Sequence, residues 1–393
     1  MWPESAEETR IIDAVVPDAA RLRAGDGDET FRLLVLAMYR DLDRHGPAAD
    51  VWPALRDAPP STARQVLLAR HDEHCDIARR ARAMPSVISS EDATSREVAG
   101  QYDAAPYPRW SSVLTYGEGA FIERMAEVFP RRELTFADKP FEVLVAGCGT
   151  GRQAISGAID FGPKAHVTGI DITRTSLGYA QRMTERFGVE NIDLLRADIE
   201  TLPHDAPQMR NRFQIVECVG VLHHMQRPLA GWRALKACLA PGGIMMIGLY
   251  SRQARTGLAA LRARPDYPGP GCSDAALRQF RETVRRLPDG APGTQFRKSA
   301  DFYTASGFRD LLLHVHENTF TLEEIAAFLA AEELVFRGFF NVPPEVLRHR
   351  FPTQTGPGTL DAWAALEREQ PNLFGSMYQF WCTPKVSAAG NGA

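Results

Sequence analysis

Three glycines at alternating positions have the clearest chemical meaning in this sequence. Gly147, Gly149 and Gly151 end an apolar run and precede a helical stretch within VLVAGCGTGRQA. Glycine allows a sharp turn and brings bare backbone against a ligand, and the N-terminus of the next helix offers unpaired N–H groups to a carboxylate or a phosphate. A dinucleotide fingerprint needs its third glycine one residue later, where this chain has Arg152. The spacing therefore argues against a nicotinamide or flavin cofactor.

Two aspartates at later strand ends extend this ligand site. Asp171 ends VTGID, where a carboxylate can accept hydrogen bonds from both hydroxyls of a ribose. Asp198 follows LLRA, where a carboxylate can meet the exocyclic amine of an adenine, with Ile199 beside the ring. Polar sites at successive strand ends describe an adenosine that carries a small zwitterion. We expect the cofactor to contact Gly147, Cys148, Gly149, Thr150, Gly151, Gln153, Asp171, Ile172, Asp198, Ile199, Val219 and Gly220.

Short apolar runs that alternate with helical stretches from Phe141 onward must hold these residues in place. Such alternation predicts parallel strands joined by right-handed crossovers, with helices on both faces of the sheet. The predicted fold class is α/β, with a doubly wound and mostly parallel sheet. The strand candidates are Val143–Ala146, His166–Ile170, Ile192–Arg196, Phe213–Val219, Ile244–Tyr250, Leu334–Phe340 and Met377–Thr383.

These motifs resemble those of the class I S-adenosylmethionine-dependent methyltransferases, from about residue 95 to residue 384. The resemblance implies a seven-stranded, Rossmann-like sheet with a reversed last strand, and S-adenosyl-L-methionine as the cofactor. It places the three glycines along the methionine half of the cofactor. It also places Asp171 at the ribose, and Asp198 with Ile199 at the adenine.

One position departs from the pattern of that family. Many members carry an acidic residue two positions before the first glycine, where this chain has Val145. Gln153 or Arg109 could compensate in holding the amino group of the cofactor.

A narrower resemblance is to a bacterial methyltransferase subfamily that is often fused to tetratricopeptide repeats. It is carried by QYDAAPYPRW, VLVAGCGTG, SLGYAQRM, GVLHHM, GLYS, FRDLLLHVHENTFTLEEI and MYQFW. The repeats are absent here, and an N-terminal helical region takes their place.

Regions outside the alternating pattern are predicted as accessory parts. Residues 1–94 form a helical N-terminal region with a linker, and Thr94 with Glu97 fits a capping box that opens a helix. Residues 95–385 form the methyltransferase domain, in which residues 252–320 are a helical insertion or lid after the fifth strand. Residues 386–393 are predicted to be a disordered tail.

A stiff aromatic arm, QYDAAPYPRW, precedes the first strand. In similar enzymes such an arm folds over the cofactor as a lid, where aromatic faces could pack on the sulfonium through cation–π attraction. Alternatively, an arm stiffened by its prolines simply packs on the core. The lid candidates are Tyr102, Tyr107, Arg109 and Trp110.

Candidates for acid–base chemistry follow the fourth strand and lie in FRDLLLHVHEN. His223 comes close to where the sulfonium methyl should lie and could remove the proton of the acceptor, or it could merely hydrogen-bond within its loop. His316 and Glu317 could act on an acceptor hydroxyl or amine, and Tyr250 and Arg309 could contact the acceptor. Three metal ligands from one short segment would make awkward geometry, so we expect no metal.

Composition narrows the class of protein and its partners. The chain has 393 residues, is 44% hydrophobic and carries a net charge of −4. Because basic residues are nowhere clustered, the charge argues against a nucleic acid partner. The six cysteines lack metal-type spacing and read as reduced thiols. With no secretory signal and no apolar run of about 20 residues, we expect a cytoplasmic protein without membrane association.

Methyl transfer from a sulfonium needs little covalent help, because the leaving group is already activated. The protein must align the reactants, exclude water and accept a proton, which predicts an enclosed pocket with few strict catalytic residues. We predict transfer to an oxygen or nitrogen of a small or medium organic acceptor. Two alternatives stay open. One is a methyltransferase for a protein or RNA docked by the N-terminal helices, which could also hold a protein partner or form a dimer; the other is a non-catalytic adenosylmethionine-binding protein.

Overall fold

A seven-stranded sheet forms the centre of the computed structural model, which describes residues 6–43, 50–89, 92–104, 106–126, 128–340, 342, 346 and 358–385. The predicted tail at 386–393 lies outside the described residues. The strands are β1 Phe141–Ala146, β2 Ala165–Asp171, β3 Ile192–Arg196, β4 Phe213–Val219, β5 Leu239–Tyr250, β6 Leu334–Phe339 and β7 Met377–Pro384.

The strand order is β3-β2-β1-β4-β5-β7-β6. The pairs β2–β3, β1–β2, β1–β4 and β4–β5 are parallel, whereas β7 runs antiparallel to both β5 and β6. The order reverses direction between β1 and β4, which creates the crevice at the carboxyl ends of the strands where ligands of such sheets bind. The predicted doubly wound, mostly parallel sheet with a reversed last strand is confirmed.

Helices precede the sheet, cover both of its faces and fill the segment after β5. The helices are α1 Ala6–Asp13, α2 Ala19–Arg23, α3 Gly27–Tyr39, α4 Val51–Asp57, α5 Thr62–Ala83, α6 Ala93–Ala104, α7 Ala120–Met125, α8 Arg152–Phe161, α9 Arg174–Arg186, α10 Leu202–Asp205, α11 Pro228–Cys238, α12 Thr256–Arg262, α13 Asp274–Arg285, α14 Ala305–Leu312, α15 Leu322–Ala331 and α16 Leu360–Glu369.

Alternate residues of β1 belong to two different hydrophobic cores. Val143 and Val145 pack into the cluster on one face, and Leu144 and Ala146 pack into the cluster on the other. A strand has a side-chain period of two, so a strand that is covered on both faces must be apolar throughout. This is why the run FEVLVA lacks the alternation of a half-exposed strand.

The N-terminal helices have a small core of their own and dock on the sheet through α5. Leu22, Leu33 and Leu55 are fully buried in that N-terminal core. Helix α5 packs on α9 so closely that a Cβ at Gly178 would lie 2.6 Å from the carbonyl oxygen of Ile77. Only glycine fits at such an approach, so the motif SLGYAQRM carries a packing requirement of this helix pair.

The segment between β5 and β7 forms a helical layer beside the carboxyl ends of the strands. Helices α12, α13 and α14 share a separate core that contains Leu258, Phe280, Phe302 and Phe308. Its polar edge supplies residues to the cavity described below. Within the described residues, no helix combines the length and the apolar character that crossing a bilayer requires.

The predicted capping box at Thr94 is wrong. Helix α6 begins at Ala93, and the carboxylate of Asp92 accepts the backbone N–H of Ser95 at 2.8 Å. Aspartate, with two acceptor oxygens, satisfies the unpaired donors of the first turn. By contrast, α15 opens with a true capping box between Thr321 and Glu324.

Candidate functional site

A cavity of about 910 Å³ lies at the carboxyl ends of the parallel strands. One wall consists of the segments that follow β1 to β4 and the last residue of β5. The opposite walls come from α6, which includes residues 101–104 of the arm, and from the remaining residues of the arm. The helical layer and residues just before and at the start of β7 complete these walls. The residues lining these opposite walls include Ser95, Val98, Tyr102, Tyr107, Pro108, Gln295, Phe296, Lys298, Ser299, Asp301, Asp310, Leu311, Asn372 and Met377.

The glycine-rich turn after β1 forms the floor of this cavity. Gly147, Gly149 and Gly151 have φ angles of 72°, 52° and 84°, which side chains with a Cβ rarely adopt. Gly147 and Gly149 line the cavity together with Cys148. Gly151 serves packing instead, since its Cβ would lie 2.7 Å from the Cβ of Ala180 in α9.

Thr150 faces the arm and is not among the described residues that line the cavity. Its hydroxyl donates to the carbonyl oxygen of Pro108 at 2.6 Å, and it accepts from the indole N–H of Trp110 at 3.2 Å. The turn and the arm are therefore fixed to each other at this residue.

Asp171 lies at the tip of β2, where the turn holds its carboxylate in place. One carboxylate oxygen accepts the backbone N–H of Gly149 at 2.8 Å, and the other accepts from both the backbone and the hydroxyl of Thr173. Burial raises the pKa of Asp171, while these hydrogen bonds oppose the rise. Asp171 and Ile172 both line the cavity, as the predicted ribose contact requires.

Asp198 lies after β3 and is only 6% exposed. Its carboxylate accepts the backbone N–H of Glu200 at 2.9 Å and the hydroxyl of Ser95 at 3.1 Å. Ile199 lies beside it in the lining. A carboxylate next to an apolar side chain can take both the amine and the flat face of an adenine.

A buried carboxylate lies next to position 145, where many members of the family carry an acidic residue. Val145 pairs in register with Glu217 on the neighbouring strand β4, so both side chains project from the same face of the sheet. The amide of Gln153 donates to Glu217 at 2.7 Å; Gln153 lines the cavity, whereas Glu217 is not among the described lining residues. Burial raises the pKa of Glu217 to about 7. No local sequence pattern indicates Glu217, because parallel pairing between distant segments brings it there.

These groups fit S-adenosyl-L-methionine along its whole length. Asp171 suits the ribose, and Asp198 with Ile199 suits the adenine. Gln153 would face a positively charged amino group with the carboxylate of Glu217 behind it, and Val219 and Gly220 complete the lining at the end of β4. The fit depends on side chains from four different strand ends that converge on one cavity.

Helix α6 and the arm divide into residues that face the cavity and residues that anchor the arm. Tyr102 and Tyr107 line the cavity. Trp110 is 7% exposed, its ring centroid lies 5.7 Å from that of Phe187, and its backbone carbonyl accepts from the hydroxyl of Tyr179. Arg109 points away and lies 3.5 Å from Glu73.

Helix α6 is held at both edges of the cavity. Besides the Ser95–Asp198 hydrogen bond, the hydroxyl of Tyr102 donates to Asp310 at 2.6 Å. In addition, the backbone N–H of Val315 donates to the side chain of Gln101 at 3.1 Å. The helix thus closes the cavity over the strand ends.

His223 is fully buried and is not among the described residues that line the cavity. Its Nδ1 accepts the backbone N–H of Tyr250 at 3.3 Å, which leaves the proton on Nε2. Its ring stacks on Tyr250 with centroids 3.7 Å apart. Burial lowers the pKa of His223 well below its ordinary value, so the ring is neutral. Tyr250 itself lines the cavity.

His224, the next residue, does line the cavity. Its Nδ1 lies 2.8 Å from the carbonyl oxygen of His316, and its ring stacks on His314 with centroids 3.6 Å apart. Asp310 lies within the same group, and burial raises its pKa to about 6. Sequence reasoning missed Asp310 because it sits among apolar residues on α14, and only the contact with Tyr102 reveals its position.

Glu317 and Arg309 form ion pairs away from the cavity lining. The guanidinium of Arg255 donates to Glu317 at 2.9 Å, and both side chains are at most 3% exposed. The guanidinium carbon of Arg255 also lies 4.4 Å from the ring centroid of Tyr250, and this cation–π contact helps to hold the aromatic ring in the cavity wall. Arg309 pairs with Asp274 at 2.7 Å. His316 contributes its backbone to the neighbouring histidines.

Comparison with known proteins identifies the domain that holds this site. Residues 137–285 match the family model described as a methyltransferase domain. An uncharacterized protein of Synechococcus sp. is 28% identical over 277 residues, which are 63% of this chain and 60% of that protein. A ubiquinone biosynthesis O-methyltransferase of Chromobacterium violaceum is 35% identical over 141 residues, 36% of this chain and 53% of that enzyme. The chain thus spans little more than half the length of these relatives.

A solved structure shows the same fold. The structure of PKMT2 from Rickettsia typhi in complex with AdoHcy matches with a TM-score of 0.51 and 14% identity, covering 70% of this chain and 55% of that one. The family match confirms the predicted methyltransferase domain, and the structural match confirms the predicted fold.

Proposed function

Proceeding from the methyltransferase domain at residues 137–285, we propose that the protein transfers a methyl group from S-adenosyl-L-methionine to an oxygen or nitrogen of a small or medium organic acceptor. The observation that carries the proposal is the shape of the cavity. A single space of about 910 Å³ joins the cofactor residues at the strand ends to a second set of polar and aromatic residues from α6 and the helical layer. A pocket for the cofactor alone would not need that second set.

Bound S-adenosyl-L-methionine supplies an activated methyl group, so the residues of the chain need only bind, orient and deprotonate. Tyr102, Tyr107, Tyr250 and Phe296 surround the acceptor end with aromatic faces. Helix α6 excludes water, which strengthens every polar interaction inside the cavity. Asp301, Asp310 and Lys298 provide charges at this end for the polar groups of an acceptor.

The size of the cavity supports a small or medium acceptor. Pockets of about 300–1,000 Å³ hold drug-sized molecules, and here the same volume accommodates both cofactor and acceptor. The arrangement of α6 over the strand ends favours a molecule that is enclosed over one that is docked on the surface. The curated O-methyltransferase relative supports the same substrate class, because its name specifies transfer to oxygen.

We propose that the N-terminal helices stabilise the domain and do not take part in methyl transfer. Ile77 and Met84, at the end of α5 and just after it, belong to the core that covers one face of the sheet. Helices α1 to α4 have a separate core, to which α5 contributes Leu67. Truncation before Thr62 therefore removes the accessory helices without opening the core of the sheet.

Two assays test the proposal. Incubation of the protein with labelled S-adenosyl-L-methionine and fractionated cell extract should transfer label to a low-molecular-weight product. The variant lacking residues 1–61 should keep that turnover. Label found only in protein or RNA, or turnover lost in a folded truncated variant, would favour docking of a macromolecule. Cofactor binding without any transfer would indicate a non-catalytic binding protein.

A further inference from the structure

Two stacked histidines at the acceptor end present opposite hydrogen-bonding groups; His224 lines the cavity, and His314 is buried beside it. The Nδ1 of His224 lies 2.8 Å from the carbonyl oxygen of His316, which only accepts, so this nitrogen carries the proton and Nε2 has the lone pair. The Nδ1 of His314 accepts the backbone N–H of His316 at 3.1 Å, so in His314 the proton is on Nε2. The hydrogen bonds of one residue, His316, therefore assign both tautomers.

The donor nitrogen of His314 is buried and has no partner among the described residues. His314 is 2% exposed, and its Nε2 forms no hydrogen bond. An unpaired buried donor costs about 1–3 kcal/mol, and native structures keep such groups rare. Nε2 of His223 is also buried without a partner, but His314 differs in lying within the cluster formed with the cavity-lining residues His224 and Asp310, where a polar group of a ligand can reach it.

A carboxylate completes the corner. One ligand-type atom each from His224, His314 and Asp310 lies within 4.8 Å of the other two. Tyr102 donates its hydroxyl to Asp310 at 2.6 Å and places its ring 5.6 Å from that of His314. His224 and Asp310 both line the cavity. The corner is thus built from the turn after β4, from α14 and its following loop, and from α6.

Two histidines and a carboxylate could also suggest a metal site, but the tautomers disfavour one. A metal needs a lone pair on each coordinating nitrogen, and Nε2 of His314 carries a proton. A ligand group that both donates and accepts hydrogen bonds suits the two nitrogens better.

We propose that this corner binds the acceptor through a hydroxyl group, and that the hydroxyl oxygen receives the methyl group. The O–H donates to Nε2 of His224, and the oxygen accepts from Nε2–H of His314. A neutral amine has a single lone pair, which it uses to attack the methyl group, so it cannot also accept from His314, whereas a hydroxyl oxygen has two lone pairs. This inference rests on the proposed function and narrows its substrate class to alcohols or phenols.

The proton balance follows from the same contacts. As the oxygen bonds to the methyl carbon, the O–H bond breaks and its proton passes to Nε2 of His224, while the electrons of the carbon–sulfur bond remain on sulfur. The carboxylate of Asp310 stabilises the imidazolium that results. Burial lowers the pKa of His224 well below its ordinary value and that of His314 to about 4, so both rings are neutral before the reaction. Nε2 of His224 therefore holds a free lone pair at neutral pH, and the nearby carboxylate of Asp310 favours its protonation during the reaction.

The tautomers can be tested without turnover. Long-range ¹H–¹⁵N spectra of the full chain labelled with ¹⁵N-histidine, assigned with His224→Gln and His314→Gln, should show a proton on Nδ1 of His224 and on Nε2 of His314. The reverse assignment of either ring would overturn the proposal. His204→Gln, which alters a surface histidine, is the matched control and should leave both signals in place.

The acceptor atom is tested with S-adenosyl-L-methionine carrying a ¹³C methyl group. After incubation with cell extract, the ¹³C chemical shift of the product identifies the atom to which the methyl is bonded. An O-methyl product supports the inference. An N-, S- or C-methyl product overturns it while the proposed function stands, and the absence of any transfer refutes both.

His224→Gln should then lower turnover of the O-methylated acceptor at least 100-fold, the usual contribution of a general base. Its affinity for S-adenosylhomocysteine, measured by calorimetry, should stay within twofold of the parent protein. Unchanged turnover in a variant that still binds the cofactor product would refute the role of His224.

Discussion

The carboxylate of Glu217 gives the sharpest test of the cofactor site, because its replacement should raise stability and lower affinity together. Glu217 is 3% exposed, and burial raises its pKa to about 7 from the 4.5 of an ordinary glutamate. Between these two pH values the folded chain holds a proton that the unfolded chain has released. Stability is therefore greatest below pH 4.5 and falls as the pH rises through 7, by about 3 kcal/mol in total.

Glu217→Gln removes this titration while it keeps the shape of the side chain and a hydrogen bond to Gln153. The variant should be about 3 kcal/mol more stable than the parent at pH 8, and about 1 kcal/mol or less at pH 5. Thermal unfolding of both proteins across this range measures the difference. At the same time, calorimetry at pH 8 should show about tenfold weaker binding of S-adenosylhomocysteine, since the negative charge behind Gln153 is lost.

Glu190→Gln makes the same charge change at an exposed position and is the matched control, for which neither effect is expected. A Glu217→Gln variant whose stability relative to the parent does not change with pH would refute the reasoning about burial. A variant with the expected stability but full affinity would refute the assignment of Glu217 to the amino group. The pH dependence of stability thus tests the burial of Glu217, and the affinity tests its contribution to cofactor binding.

Three further variants probe other contacts. Asp171→Ala should weaken S-adenosylhomocysteine binding about 10- to 100-fold, the worth of charge-assisted hydrogen bonds, and unchanged calorimetric affinity would exclude the ribose contact. Arg255→Met should destabilise the fold by about 3 kcal/mol in urea unfolding, because the buried carboxylate of Glu317 would keep only the more distant cation of Arg262, at 3.8 Å. Gly178→Val should lower the thermal midpoint, since its Cβ would meet the backbone of α5; an unchanged midpoint would contradict the close approach of α5 and α9.

Sequence alone was sufficient for the sheet and for the parts of the site that lie at strand ends. An apolar run that ends in glycine or aspartate indicates a strand and also the residue at its carboxyl end, as with Gly149, Asp171 and Asp198. Parallel strands place their carboxyl ends at one edge, so local patterns were enough to bring these residues together. The strand bounds differ from the predicted ones chiefly at β5, which begins at Leu239 instead of Ile244.

The acceptor end could not be predicted in the same way, because it depends on contacts between distant segments. His223 and His224 are adjacent in sequence, yet only His224 lines the cavity. Hydrogen bonds to the backbone of Tyr250 and of His316 orient the two rings. Likewise, Asp310 becomes a site residue only through the approach of Tyr102 from α6. No local pattern reports the register of one loop against another.

Helix α6 links events at opposite sides of the cavity. Ser95 and Tyr102 stand two turns apart, about 10 Å along a stiff rod, with one tied to Asp198 and the other to Asp310. An adenine amine bound at Asp198 would compete with Ser95 for this carboxylate and would release that end of the helix, while Tyr102 keeps the other end tied to Asp310. One short helix thus contacts both the nucleotide side and the acceptor side of the cavity.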